Sequence, residues 1–232
     1  MTNLLQIKTS ASVLVKTLSS LGVDSIFGYP GASVLSIYNE LSKADTIKHY
    51  LVRHEQAAIH AAEGYARASG KTGVVLVTSG PGFTNTITGI ANAYADSTPL
   101  VNVAVADKKG KIFQSVDIQA IAGSCCKKTF KLNPQDDIAQ IIQEAFKEAS
   151  KGVKGPVVVI LPRNILEDEY RNENRASIPA AKISKKDFSE KLKEFTNLLN
   201  ASKRPLMLIG GGCIDASEEI EKFVSALQIP VV

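Results

Sequence analysis

The sequence predicts an α/β protein with a doubly wound, mainly parallel sheet, followed by an incomplete second α/β domain. Continuous β-branched runs at 74–78 and 157–161 indicate strands that are covered on both faces. Segments with apolar residues at helical spacing alternate with such strands, which is typical of βαβ units. Turns that contain Gly or Pro follow several of the strands and lead into the next helix.

The elements of the first domain follow one another in a regular order. Apolar periodicity predicts helices over residues 10–21, 34–41, 56–68, 85–94 and 138–149. Apolar, β-branched runs predict strands at 24–28, 47–52, 74–78, 100–105 and 157–161. Residues 107–133 show neither pattern and are predicted to be irregular and basic. The first domain is therefore expected to cover residues 1–166.

The remaining residues indicate a linker and a second domain. Residues 167–186 are polar and charged and contain Pro, which is typical of a linker. Residues 187–232 then show helix, strand and helix patterns, with the strand at 206–209 and a further strand beginning at 229. About 45 residues cannot bury a full core. We therefore expect the beginning of a second α/β domain that is cut off soon after it starts.

Composition excludes several classes of protein. The 232 residues are 44% hydrophobic and 22% charged, which is a globular balance. The net charge of +4 is small, and the Lys clusters lack interleaved aromatics, so a nucleic-acid-binding α/β module is a weak alternative. Three Cys residues make no disulfide framework and show no metal-ligand spacing. With no long apolar run and no basic leader, we expect a cytoplasmic protein without a membrane partner.

Three loops after predicted strands are candidate binding elements, because ligands of doubly wound sheets lie beyond the carboxyl ends of the strands. They are Gly28-Tyr29-Pro30-Gly31, Arg53-His54-Glu55-Gln56 and Thr78-Ser79-Gly80-Pro81-Gly82. Taken singly, each is also an ordinary tight turn between a strand and a helix. Glu55 opens an Ala-rich helix, where a carboxylate can simply interact with the helix dipole. Gly210-Gly211-Gly212 lacks a full nucleotide-binding fingerprint.

Together with Gly64-Tyr65-Ala66-Arg67-Ala68 and Asp96-Ser97-Thr98-Pro99, these loops closely resemble the thiamine diphosphate (ThDP)-dependent acetolactate synthase (acetohydroxyacid synthase) large-subunit family. The resemblance runs from about residue 5 to residue 166 and covers the family's pyrimidine-binding domain, which has the ThDP-binding fold. From about residue 187, Lys203-Arg204-Pro205 and Gly210-Gly211-Gly212-Cys213 resemble the beginning of its Rossmann-like central domain.

The resemblance implies roles for individual residues. In the family, the glutamate at the position of Glu55 hydrogen-bonds N1′ of the cofactor's aminopyrimidine, and we expect Glu55 and Gln114 to be catalytic. The pyrimidine pocket is expected to be lined by Tyr29, Pro30, Gly31, Gly80, Pro81 and Asn85. Phe113 is expected on the substrate side, and no metal ligand is expected in this chain.

The resemblance also implies an activity and partners. The family are carboligases, transferases that decarboxylate one 2-oxo acid and condense it with another, such as pyruvate to 2-acetolactate in branched-chain amino acid biosynthesis. The alternatives are a ThDP-dependent 2-oxo acid decarboxylase and a non-catalytic remnant or assembly subunit of the same fold. ThDP and Mg²⁺ are the implied cofactors, with the Mg²⁺ ligands in a C-terminal diphosphate-binding domain. The Gly-Asp-Gly…Asn motif of that domain does not occur here, so we expect the chain alone to be inactive.

Further implied partners are a second copy of the chain, forming a dimer or tetramer through the pyrimidine domain, and a regulatory small subunit. The sequence also departs from the family pattern. Ala32 stands where the family has a second glycine, and Arg163 stands where it has Lys. An Arg associated with the flavin is replaced by Val153 or Lys154, and the segment from 99 to 113 is shorter. These departures leave the pair of 2-oxo acids and the binding of FAD open.

Overall fold

The computed structural model describes residues 8–106, 114–170 and 188–232. The chain divides into two compact units, Met1–Ser177 and Ile178–Val232. Most of the expected linker, residues 167–186, lies outside the described residues. The domain boundaries at 166 and 187 therefore remain predictions.

The first unit is built on a six-stranded sheet with the order β2-β1-β3-β4-β6-β5, in which all neighbouring strands are parallel. The strands are β1 Ser25–Tyr29, β2 Lys48–Leu51, β3 Gly73–Val77, β4 Leu100–Ala106, β5 Lys128–Lys131 and β6 Pro156–Pro162. The helices of this unit are α1 Ser10–Ser20, α2 Leu35–Leu41, α3 Glu55–Ser69, α4 Pro81–Thr84, α5 Ile87–Ala95, α6 Ile118–Ala122, α7 Ile138–Ser150 and α8 Arg163–Glu167. The predicted α/β class is confirmed.

The helices cover both faces of the sheet, so the unit has two apolar cores. One core holds α1, α2, α7 and α8 against residues such as Val103 and Val159. The other holds α3, α5 and α6 against the opposite face, where Val75, Val77 and Ala104 point. Because successive side chains of a strand alternate between faces, a strand buried on both sides reads as a continuous apolar run. This explains why β3, β4 and β6 could be recognised in the sequence.

Capping residues define both ends of the long helix α3. His54 is the N-cap residue, and its Nδ1 accepts a hydrogen bond from the backbone N–H of Gln56 at 3.2 Å. Gly70 ends the helix in the left-handed conformation, with φ of +71°. His54 therefore has a structural role, and Glu55 is the first residue of the helix that follows β2.

The prediction that residues 107–133 are irregular is wrong for part of this range. Helix α6 and strand β5 lie within it. Strand β5 is a short edge strand in which Phe130 is buried and both lysines are exposed. One buried side chain in four residues gives too little apolar pattern for a strand to be recognised, and exposed lysines are common on edge strands. Residues 107–113 lie outside the described residues.

The second unit contains α9 Ser189–Ala201, α10 Ser217–Leu227 and a 3₁₀ helix Gly211–Ala216. The helices predicted around 188–199 and 220–227 are confirmed. The strand predicted at 206–209 is reduced to one parallel bridge between Met207 and Val231. Three backbone hydrogen bonds connect these segments, from Met207 N to Pro230 O, from Ile209 N to Val232 O and from Val232 N to Met207 O. Every helix of the described residues in either unit is too short or too polar to cross a bilayer.

Candidate active site

The connections of the sheet create a crevice between β1 and β3. The chain leaves β1 toward α2 on one face, and it leaves β3 toward α4 and α5 on the other face. Neighbouring strands whose exits diverge form a topological switch point, where ligands of open α/β sheets bind. Gly31 follows β1 and Thr78 follows β3, and a Cβ on Gly31 would lie 2.7 Å from Thr78 Cβ. The two loops therefore approach each other across the crevice more closely than a side chain on Gly31 would allow.

Glu55 projects from the beginning of α3 toward the turn after β3. Its side chain is buried, with 8% relative exposure, and Asn85 Nδ2 donates a hydrogen bond to Oε2 at 2.9 Å. The described residues donate no hydrogen bond to Oε1. A Cβ on Gly82 would lie 3.5 Å from Oε1 and 2.6 Å from Thr78 Cγ2. The structure thus brings Glu55, Asn85 and the glycine turn together at the carboxyl edge of the sheet.

Both the backbone conformation at position 80 and the neighbouring atoms require a glycine there. Its φ is +60°, a conformation that residues with a side chain rarely adopt. A Cβ at this position would lie 1.9 Å from the backbone oxygen of Gln114. Gln114 also has a positive φ, of 62°, and its side chain is exposed. The segment that begins at Gln114 therefore packs on the turn after β3, whereas Phe113 lies outside the described residues.

The remaining expected pocket residues lie on the rim of the crevice. Tyr29 ends β1 and is 40% exposed, and Pro30 after it is exposed as well. Pro81 is exposed at the first position of α4. Among the described residues, the Tyr29 hydroxyl makes no hydrogen bond to Glu55. The expected role of Tyr29, Pro30 and Pro81 in lining the pyrimidine pocket remains a prediction.

Thr78 and Ser79 also lie at the crevice, although the sequence analysis gave them no role. Thr78 stands between Gly31 and Gly82, and the Ser33 and Ser79 hydroxyl oxygens lie 3.1 Å apart across the crevice. Thr78 and Ser79 belong to the loop Thr78-Ser79-Gly80-Pro81-Gly82, in which the family resemblance assigns a role only to Gly80 and Pro81. A polar residue directly at the end of a buried strand is the signal that could have identified them.

Two of the recognised motifs are joined by a structural contact away from the crevice. Arg67 of α3 forms ion pairs with the buried Glu63 and with Asp96 after α5. Burial opposes ionisation of Glu63, but hydrogen bonds from Arg67, Asn92 and His60 outweigh it and lower the pKa of Glu63. These residues stabilise the packing of α3 with α5, which are the helices that place Glu55 and Asn85.

The arrangement is suited to a ring that exchanges a proton with a carboxyl group. One oxygen of Glu55 is held by Asn85, and the other is left for a ligand that offers or shares a proton. The glycines at the crevice let the loops after β1 and β3 and the segment at Gln114 pack closely beside the Glu55 carboxyl. Within 8–106, 114–170 and 188–232, no three His, Cys, Asp or Glu side chains are placed to hold a metal ion. The buried Glu55 carboxyl, with one oxygen bound by Asn85, is the feature that fits the aminopyrimidine part of ThDP.

Comparisons with known proteins agree with this geometry. The model of the thiamine pyrophosphate enzyme N-terminal TPP binding domain matches residues 8–121, where thiamine pyrophosphate is another name for ThDP. The model of the thiamine pyrophosphate enzyme central domain matches residues 192–232. The first match contains Glu55, Asn85 and the crevice between β1 and β3.

The chain is also similar to acetolactate synthases along nearly its whole length. It is 41% identical over 238 residues to the acetolactate synthase isozyme 3 large subunit of Escherichia coli (strain K12), an alignment that covers 98% of this chain and 42% of that protein. It is 42% identical over 234 residues to the large subunit of Lactococcus lactis subsp. lactis (strain IL1403), covering 97% of this chain and 40% of that protein. It is 36% identical over 234 residues to the chloroplastic acetolactate synthase of Arabidopsis thaliana, covering 97% and 35%.

The chain thus spans about two fifths of the length of the first two of these relatives. The resemblance noticed in the sequence is confirmed by both domain models and by the relatives. The chain belongs to the thiamine pyrophosphate enzymes, and it carries their N-terminal TPP binding domain followed by part of their central domain.

Proposed function

We propose that this chain supplies the pyrimidine-binding half of the active site of a ThDP-dependent carboligase, which decarboxylates pyruvate and forms 2-acetolactate. The observation that carries the proposal is the Glu55 carboxyl, buried at the carboxyl edge of the sheet, whose Oε2 accepts a hydrogen bond from Asn85 and whose Oε1 accepts none from the described residues. The names of the relatives support the choice of reaction, since each compared protein is an acetolactate synthase.

The proposed role of Glu55 is to share a proton with N1′ of the aminopyrimidine. Asn85 orients the carboxyl by binding Oε2, so that Oε1 is the oxygen left to face the ring. Burial of Glu55 keeps competing water away from that oxygen. When bound, ThDP supplies the electron sink that lets a 2-oxo acid lose CO₂ and its remaining carbon add to a second carbonyl group.

The crevice supplies position rather than charge. Gly31, Gly80 and Gly82 let the loops of the crevice pack closely on one another, and we propose that the ring of the cofactor lies against these loops. Tyr29 and Pro30 on the rim are proposed to contact the same ring. Gln114, whose backbone packs on Gly80, is proposed to act on the substrate side, near the segment that holds Phe113.

The other parts of the active site are proposed to come from outside this chain. We propose that Mg²⁺ and the diphosphate are held by a C-terminal domain, and that the pyrimidine domain pairs with a second copy in a dimer or tetramer. The isolated chain should then bind ThDP weakly and turn over no pyruvate. Calorimetric titration of the chain with ThDP and Mg²⁺ tests this expectation, and micromolar binding would contradict it.

A chimeric enzyme tests the activity directly. Residues 1–232 replace the matching segment of the Escherichia coli isozyme 3 large subunit, and pyruvate consumption and acetolactate formation are measured. We expect activity in the chimera and a loss of about 10²- to 10⁴-fold in its Glu55→Gln variant, the usual contribution of a positioned proton-transfer group. Glu40→Gln is the control, because the Glu40 carboxylate forms a surface ion pair with Lys43, which contributes little to stability.

Three outcomes of this experiment separate the alternatives. Acetolactate formation that depends on Glu55 supports the carboligase. Release of CO₂ with an aldehyde and without acetolactate would identify a decarboxylase instead. A folded chimera that binds ThDP but consumes no pyruvate would identify a non-catalytic remnant.

A further inference from the structure

A pair of buried polar side chains lies beneath the turn that carries Asn85. Thr86 and Asn102 are both fully buried, with 0% relative exposure. Asn102 lies in the middle of β4, where it is paired with Val75 of β3 and Val158 of β6. Its side chain enters the core of α3, α5 and α6, beside Leu100 and Ala104. A polar pair in such surroundings is costly to bury and calls for a specific role.

The two side chains form a short chain of hydrogen bonds. Asn102 Nδ2 donates to Thr86 Oγ1 at 2.8 Å, and Thr86 Oγ1 donates to the backbone oxygen of Phe83 at 2.7 Å. Since the single hydroxyl proton of Thr86 is used on Phe83, Thr86 can only accept from Asn102. The amide of Asn102 is therefore fixed in orientation, and its Oδ1 is left without a hydrogen-bond partner among the described residues.

These two hydrogen bonds connect strand β4 to the junction between α4 and α5. Asn85 stands in that junction, directly before Thr86 and two residues after Phe83. The same Phe83 oxygen also accepts the backbone N–H of Thr86 at 2.9 Å, which closes the turn around Asn85. Asn85 then points its amide at Glu55 Oε2.

We propose that Thr86 and Asn102 are positioning residues, which fix the turn at 83–86 to β4 and thereby hold the Asn85 amide on Glu55. Neither residue touches Oε1, so neither is catalytic. An apolar pair would fill the same space without leaving Asn102 Oδ1 unpaired, and core stability alone therefore gives no reason for this pair. The consequence for catalysis rests on the proposed function, whereas the hydrogen-bond chain can be tested without it.

The test uses nuclear magnetic resonance of the 232-residue chain, with the side-chain amide signal of Asn85 as the readout. In Thr86→Val, we expect this signal to move toward the position of exposed Asn amides and its hydrogen exchange to become about tenfold faster, as the loss of one hydrogen bond predicts. Thr86→Ser keeps the hydroxyl and should restore the original signal. The double variant Thr86→Val/Asn102→Val removes the polar pair without leaving a buried group unpaired, and it should show the same change as Thr86→Val.

A matched control separates positioning from general stability. Ile90→Val removes one methyl group from the same helix, α5, at a fully buried site outside the hydrogen-bond chain. It should lower the urea midpoint and leave the Asn85 signal in place. An unchanged Asn85 signal in the double variant, the same change in Ile90→Val, or failure of Thr86→Ser to restore the signal would overturn the proposal. Loss of activity in the chimeric Glu55→Gln variant bears on the proposed function alone, so the two can fail separately.

Discussion

The close approach of α5 to α3 depends on the absence of a side chain at Gly89. A Cβ at this position would lie 2.1 Å from Ile59 Cγ2, 2.9 Å from Cγ1 and 3.0 Å from Cβ. Ordinary van der Waals contact for such an atom begins at 3.4 Å. Since Ile59 is fully buried, it has no space to retreat into, and Gly89→Ala should force the two helices apart.

Two opposing contributions set the expected change in stability. Alanine favours a helix interior over glycine by about 1 kcal/mol. Overpacking of a close-packed core costs about 1–3 kcal/mol, and the short distances at Gly89 indicate the upper part of that range. We therefore expect Gly89→Ala to lower the free energy of unfolding by about 1–2 kcal/mol.

A double-mutant cycle isolates the contact. Ile59→Ala removes both γ carbons that the new methyl group would meet, although it costs about 2–5 kcal/mol by itself. In that background the contacts with the γ carbons are gone and only the contact with Cβ at 3.0 Å is left, so the helix preference should dominate and Gly89→Ala should be stabilising by up to about 1 kcal/mol. Urea unfolding of the four proteins gives the coupling energy, which we expect to be about 2–3 kcal/mol. Stabilisation by Gly89→Ala in the original protein would refute the reasoning.

Two further predictions concern titration. Hydrogen bonds from Lys71, Tyr65 and Ser25 hold the pKa of Asp24 well below its usual range, so its stabilising effect is complete above about pH 4 and is lost as the pH falls through the lowered value. The difference in urea midpoint between the original protein and Asp24→Asn should thus shrink below about pH 4, and a difference that stays constant as the pH falls would contradict this reasoning. Burial, together with the neighbouring Cys125, raises the pKa of the Cys126 thiol to about 11, so a disulfide reagent at pH 8 should modify Cys126 much more slowly in the folded protein than in urea; an equally fast reaction in both states would contradict this.

The sequence could predict the elements whose burial is regular. Strand β3 is buried at every position, and α7 carries an apolar stripe that includes Ile138, Ile142 and Ala145. Strand β5 was not predicted, because it lies at the edge of the sheet and Phe130 is its one buried residue. Helix α6 is only five residues long, too short for periodicity to be read.

The candidate site was predictable in part for a similar reason. Glu55 and the glycine turns could be identified because they match motifs of the family and because they follow predicted strands. The pairing of Thr86 with Asn102 could not, since it depends on a contact between residues 16 positions apart. The available signal is a polar Asn within the apolar strand segment 100–105, to which the strand prediction assigns no role.

The glycine crevice limits how the protein can be redesigned. Gly31, Gly80 and Gly82 each face neighbouring atoms at distances that exclude a new side chain without rearrangement. Libraries aimed at new ligands should therefore leave these three codons untouched. Variation is better placed at Tyr29 and Gln114, whose exposed side chains can change in size without disturbing the backbone beneath them.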